Sequence, residues 1–223
     1  MKISILTLFP QMFQGPFDYS IVKRAKEKKL VEISFTDIRN FGVGKHKTVD
    51  DKPYGGGVGM ILRVDVLQKA LDQTLNKKLT RKEQKVILLS ASGKTYDQKR
   101  AKEFSKLKHL IIICGHYEGV DERILKFVDE EISIGNFVLT GGEIPAMLVT
   151  DSVVRLIKGV LKDDATRLES FSGEERSLEH PQYTRPRKFG KLKVPEILLS
   201  GNHGKIAEWK KEASINKTKK VKS

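Results

Sequence analysis

Cysteine is almost absent: Cys114 is the only one in 223 residues. A single thiol excludes an intramolecular disulfide and a cysteine metal cluster, and it suits a reducing cytosol. Cys114 closes the apolar run Leu110–Cys114 and reads as the buried end of a strand. Long apolar runs are missing too. The opening run, Ile3–Phe9, stops at Pro10 and lacks a small-residue cleavage site, so it reads as a strand rather than a signal peptide. No stretch approaches the ~18 residues of a membrane span, so a cytoplasmic location without a membrane partner is expected. Acidic residues are in short supply: 28 Asp and Glu stand against 42 Lys and Arg, for a net charge of +14. That excess says little about fold but points to a polyanionic partner, nucleic acid ahead of an anionic surface.

What is present is an alternation of short apolar runs with amphipathic ones. Ile3–Phe9, Val31–Thr36, Val86–Leu89 and Leu110–Cys114 read as strands, with Glu131–Ile134 and Phe137–Leu139 as two further short ones around Gly135. Tyr19–Lys29, Val64–Leu75, Tyr96–Leu107, Val120–Phe127 and Ile144–Ile157 read as helices, the fourth short and Tyr96–Leu107 exposed. Such alternation predicts an α/β domain with a mainly parallel sheet over residues 1–161. After Leu161 the texture changes. Residues 162–178 are polar and without apolar period, as in a linker. Residues 179–223 form a small basic unit in which Ile197–Leu199 and Ile206–Trp209 anchor helices. From Tyr183 to Ser223 there are twelve Lys or Arg and three acidic residues. The closing Lys217, Lys219, Lys220 and Lys222 read as a basic tail, disordered or touching RNA. There is no internal repeat.

Several segments carry chemistry. Ser92-Gly93-Lys94-Thr95 invites a phosphate-loop reading, but the position five before Gly93 holds Leu88 where that loop requires glycine. Gly115-His116-Tyr117-Glu118-Gly119 follows a buried strand, where open α/β sheets bind ligands. Alone it suits a tight turn equally well. Ile134 to Glu143 places two glycine-containing loops around a short apolar stretch, a pattern that resembles an adenine slot with apolar side chains against the ring. Asp37 to Met60 is a long polar connection ending in Gly55-Gly56-Gly57, and such a length inside a domain is usually functional or disordered. Within it His46 lies between Lys45 and Lys47, with Asp50 and Asp51 beyond. Their spacing matches no metal motif; contact with phosphates or bases suits the lysines better.

Taken in order, these segments resemble the bacterial tRNA (guanine-N1)-methyltransferases, the TrmD family of the SPOUT class. The resemblance is carried by Leu8-Phe9-Pro10 and Thr48–Gly57, then by Cys114–Arg123 and Ser133–Ala146. Asp151–Arg155, His180-Pro181 with Tyr183–Pro186, and Leu198–His203 complete it, so that it covers nearly the whole chain. It implies a SPOUT-type sheet with a C-terminal deep trefoil knot, over roughly residues 86–145, plus the small helical C-terminal domain acting in tRNA binding. It implies a homodimer with shared active sites, S-adenosyl-L-methionine as cofactor with Mg²⁺ as an accessory ion, and tRNA methylated at N1 of the guanine immediately 3′ of the anticodon (position 37). The implied cofactor residues are Leu89, Ser90, Gly115, Tyr117, Glu118, Ile134, Gly135, Asn136, Phe137, Val138, Leu139, Gly141, Gly142 and Pro145. The implied tRNA contacts are His46, Asp50, Glu179 and Gln182, and the implied catalytic residues are Arg155 and Glu169. The chain departs from the family pattern at Glu169, where an Asp is usual, and at Asn136 and Phe137, where Asp and Tyr are usual. The stretch from Ser172 to Glu179 is also slightly longer.

The chemistry gives those two catalytic positions their roles. N1 of guanine carries a proton at neutral pH, and its removal places negative charge on O6. A carboxylate at N1 and a cation at O6 are therefore needed. Glu169 is expected to be the base and Arg155 the cation. The competing readings are a SPOUT methyltransferase acting at another RNA position and a non-catalytic RNA-binding protein.

Overall fold

The computed structural model describes residues 1–162, 165–166, 169–172 and 177–222, with only the backbone of Lys222. Residues 163–164, 167–168 and 173–176 of the expected linker at 162–178 therefore lie outside the described residues, as does Ser223. The chain divides into two compact units, Met1–Leu161 and Lys162–Ser223.

In the first unit, strands and helices follow one another as β1 (Lys2–Thr7), α1 (Ser20–Glu27), β2 (Glu32–Asp37), β3 (Asp50–Asp51), β4 (Ile61–Leu62) and α2 (Val64–Thr74). Then come β5 (Gln84–Thr95), α3 (Gln98–Phe104), β6 (His109–Cys114), β7 (Glu130–Ser133) and α4 (Glu143–Val154). Five strands make one sheet in the order β2-β1-β6-β5-β7, and every pair in it is parallel. β6 lies at its centre and is wholly buried, which is why its sequence is apolar at each position from Leu110 to Cys114 rather than alternating. Its side chains divide between two cores. Leu110, Ile112 and Cys114 pack with residues of α1, α3 and α4, while Ile111 and Ile113 pack with those of α2. Helices thus cover both faces of a mainly parallel sheet.

The structure corrects several element boundaries. The strand expected at Val86–Leu89 runs on to Thr95, past a register break between Leu89 and Lys94. Ser92-Gly93-Lys94-Thr95 therefore lies in that strand and opens no helix. The helix expected over Tyr96–Leu107 is α3, and it is not simply exposed: Ala101 and Phe104 face the core. Val120–Phe127 is a 3₁₀ turn over Glu122–Phe127, with the Asp121 carboxylate accepting from the Arg123 N–H. Phe137–Leu139 is not a strand; bends at Gly135 and Gly142 flank it, and among the described residues it pairs with no strand.

The second unit holds a short hairpin, β8 (Lys188–Phe189) with β9 (Leu192–Lys193), a 3₁₀ turn at Glu196–Leu199 and the long α5 (His203–Lys222). The basic tail is thus helical through Lys222, not disordered. Within this unit Trp209 lies near the His180 and Tyr183 rings, at 6.4 and 6.3 Å. The Thr218 hydroxyl accepts from the Leu178 N–H at 2.9 Å.

Candidate functional site

Three segments from adjacent strands of the first unit face one cleft, one within β5 and two after the carboxyl ends of β6 and β7. Residues 90–92 lie in β5 at its register break. Residues 115–119 follow β6, and residues 134–142 follow β7 and lead into α4. Carboxyl ends of parallel strands are where an open α/β sheet leaves room for a ligand. The two glycine loops are stitched together: the Gly142 N–H donates to the Gly115 carbonyl at 2.8 Å, and His116 bridges to Gly141. A Cβ on Gly142 would fall 2.7 Å from the Cys114 Cα, so only glycine permits this approach.

Of the residues expected at the cofactor, Leu89, Ser90, Gly115, Tyr117, Glu118, Ile134, Phe137, Val138, Leu139, Gly141, Gly142 and Pro145 line this cleft. Gly135 and Asn136 do not. The Phe137 ring lies over Gly135, and the Ser133 hydroxyl ties the turn by accepting from the Gly135 N–H and donating to its carbonyl. His116 and Thr140 also line the cleft, although the resemblance does not imply them. Both sit inside the quoted glycine segments, which is the only signal the sequence offers for them.

The walls suit an adenosine-bearing ligand. Phe137 and Val138 expose 56% and 86% of their surface, far more than core residues of that type, and Leu139 and Tyr117 are also exposed. Large apolar groups beside bare glycine backbone are what a flat base and a short aliphatic chain require. Glu118 stands at the rim, its N–H donating to the Met60 carbonyl at 3.1 Å and its side chain packed on Gly59. Burial, reinforced by the Glu143 carboxylate, pushes the Cys114 thiol up, so it stays neutral and offers no nucleophile.

The residues expected at tRNA are spread more widely. Asp50 pairs with Leu62 across β3 and β4, and Leu62 in turn bridges to Val120 beside the cleft loop. His46 is on an exposed turn closed by Val43 and Thr48. Arg155 is the half-buried residue that ends α4. The helix is twelve residues long, so Arg155 stands roughly 18 Å from its cleft end at 1.5 Å per residue. Glu169, Glu179 and Gln182 belong to the second unit. There Glu169 is half-buried, and its carbonyl accepts from Ser172. The Glu179 N–H donates to Ser170, and the Gln182 amide donates to the Glu179 carboxylate. Among the described residues no group of three His, Cys, Asp or Glu is placed to hold a metal ion, and no helix is long and apolar enough to cross a membrane.

Comparison with known proteins matches all of residues 1–223 to the family described as tRNA (Guanine-1)-methyltransferase TrmD. A tRNA (guanine-N(1)-)-methyltransferase of Dictyoglomus turgidum is 53% identical over 219 residues, covering 98% of this chain and 86% of that protein. One from Bacillus pumilus is 51% identical over 220 residues, covering 98% and 88%. One from Mycoplasmopsis synoviae is 47% identical over 220 residues, covering 99% and 94%. With its full length matched and its glycine loops gathered at one cleft, the chain belongs to the tRNA (guanine-1)-methyltransferase TrmD family.

Proposed function

We propose that the chain transfers a methyl group from S-adenosylmethionine to N1 of the guanine immediately 3′ of the anticodon in tRNA. The observation that carries the reading is the cleft between the register break of β5 and the ends of β6 and β7, with its bare glycine backbone and uncovered apolar side chains. The relatives' names give the base and the atom, and the net charge of +14 suits a polyanionic substrate. Bound in the cleft, S-adenosylmethionine supplies an electrophilic methyl group on a sulfonium sulfur. Backbone groups of Gly115, Gly141 and Gly142 would face its polar edges, with Phe137, Val138 and Leu139 against its apolar ones.

The remaining work falls to side chains. Glu169 takes the proton from guanine N1, and Arg155 stabilises the charge that develops on O6. His46, Asp50, Glu179 and Gln182 hold the tRNA. Glu118 is the one carboxylate among the described cleft residues, so an accessory Mg²⁺ would find no protein cage there and would have to be held by water and substrate oxygens. The deep trefoil knot belongs to the same reading. It is supported by the tight packing of Gly142 on Cys114 and of Gly93 on the Ile132 backbone. So does the homodimer. Arg155 lies at the far end of α4 from its own chain's cleft, so a site using both needs a second copy. A cytoplasmic location follows from the substrate.

The test is transfer of labelled methyl from S-adenosylmethionine to a tRNA transcript. Transfer is expected with guanine 3′ of the anticodon and lost when adenine replaces it. Undiminished transfer to the adenine transcript would refute the assignment.

A further inference from the structure

The mechanism above leaves one buried charge unused. Glu143 opens α4 directly behind the cleft and is only 2% exposed. A carboxylate in the first turn of a helix gains from the helix dipole, but burial still costs several kcal/mol unless both oxygens are satisfied. One is: Oε1 accepts from the Thr7 hydroxyl at 2.7 Å. Thr7 Oγ1 in turn accepts from the Phe9 N–H at 2.9 Å, which leaves its hydrogen for the carboxylate. The other oxygen, Oε2, faces Nδ1 of His116 at 3.9 Å. That Nδ1 is itself buried and has no hydrogen-bond partner. The two atoms flank Gly141, where a Cβ would come within 2.4 Å of Oε2 and 2.5 Å of Nδ1. The imidazole is held in place by the Phe9 ring at 4.9 Å and by Tyr117 edge-on at 4.8 Å.

Two lone pairs facing each other at 3.9 Å would repel, so the hydrogen belongs on Nδ1. A shift of about 1 Å then completes a charge-assisted hydrogen bond. A neutral ring with its hydrogen on Nδ1 has Nε2 free to accept. His116 lines the cleft, and 21% of its side chain is exposed although Nδ1 is buried.

We infer that His116 is a further cofactor-binding residue, offering Nε2 as an acceptor to an N–H or O–H group of the methyl donor. Glu143 is the positioning residue that fixes its tautomer. The inference rests on the reading of the cleft as the S-adenosylmethionine site. Thr7, at the end of β1, holds the carboxylate from behind, so the strand, the helix and both glycine loops meet at this one contact.

The experiment uses the full-length protein with S-adenosylhomocysteine, the stable demethylated form of the donor. Histidine side-chain ¹⁵N spectra report the tautomer, and calorimetry reports affinity. Wild type is expected to show His116 with hydrogen on Nδ1 alone. In Glu143→Gln the amide donates to Nδ1, the ring hydrogen moves to Nε2, and affinity falls about tenfold, the scale of one hydrogen bond. A purely structural role for Glu143 would lower the melting temperature without moving the tautomer. His116→Phe keeps an aromatic ring against Phe9 and Tyr117 but removes the acceptor, and it is expected to lose affinity by about the same factor. Wild-type His116 protonated on Nε2 overturns the inference. So does unchanged affinity in His116→Phe when wild type binds. Failure of wild type to bind S-adenosylhomocysteine at all overturns the cleft assignment and this inference with it.

Discussion

Gly142 rests on Cys114 so closely that a Cβ on the glycine would lie 2.7 Å from the cysteine Cα. This contact joins the start of α4 to the end of the central strand and sets the spacing of the two loops that wall the cleft. Gly142→Ala is expected to force them apart. Overpacking of this kind costs about 1–3 kcal/mol. A lowered melting temperature and weakened S-adenosylhomocysteine binding by calorimetry would report it. Gly204→Ala serves as the contrast, since a Cβ there meets nothing nearer than Asn202 Oδ1 at 3.5 Å and Gly is a poor helix former. A Gly142→Ala protein that melts and binds like wild type would mean that the contact does not shape the site.

If Glu169 is the general base, Glu169→Gln removes the proton acceptor while keeping the size of the side chain. Turnover of a tRNA transcript is expected to fall at least about 100-fold, with cofactor affinity unchanged. Glu169→Asp restores the residue more usual in the family and is expected to retain most turnover. Near-wild-type turnover by the Gln variant would remove Glu169 from the mechanism.

On the proposed reading, Arg155, roughly 18 Å along α4 from its own chain's cleft, serves the cleft of a second copy. Arg155→Ala and Gly142→Val are each expected to be inactive alone. Unfolded and refolded together in equal amounts, they form mixed dimers in which one site has an intact slot and an intact arginine. Counting sites in a random mixture of two subunits gives roughly a quarter of wild-type turnover. No recovery in demonstrably mixed dimers would place both residues on one subunit.

His109 is a separate matter of stability. It is buried between Gln84, whose Oε1 accepts from Nδ1 at 2.8 Å, and Ser4, whose hydroxyl donates to Nε2 at 2.9 Å. Gln84 Oε1 must be the acceptor because the Asn76 N–H also donates to it. This network suits a neutral ring. Burial, aided by the Lys2 charge, pushes the His109 pKa from 6.5 down to about 4. The unfolded chain therefore binds more protons than the fold between those values. The stability that His109 contributes is complete above about pH 6.5, is lost as pH falls toward about 4, and changes no further below. Urea midpoints measured across that window are expected to fall less steeply for His109→Gln than for wild type. Parallel curves would contradict the assignment.

Much of the fold is legible in the sequence because it rests on patterns that local physics reads directly. The run Leu110–Cys114 marks a central strand, since only a strand buried on both faces is apolar throughout. Val66, Leu67, Ala70 and Leu71 give α2 its inward face. What local pattern cannot give is pairing. The extension of β5 to Thr95 is held by β7, where Lys94 pairs with Ile132 and Thr95 with Ser133, and no local period announces a partner so far along the chain.

The cleft shows the same division. Gly115 and Gly142 stand in the two glycine segments that the sequence marks, and in the fold the Gly142 N–H meets the Gly115 carbonyl. Phe137–Leu139 has the residues of a strand, yet all three are exposed. His116 carries no local mark of its role, because that role depends on Glu143 and Thr7, which approach from elsewhere in the chain.

Methylation at guanine N1 is read out by mass spectrometry of tRNA nucleosides, with positional mapping, after incubation of the protein with S-adenosylmethionine and an unmodified tRNA transcript. The expected product is 1-methylguanosine at the position immediately 3′ of the anticodon and at no other. A methylated nucleoside of another kind or at another position, or no methylation by a protein that binds both ligands, would contradict it.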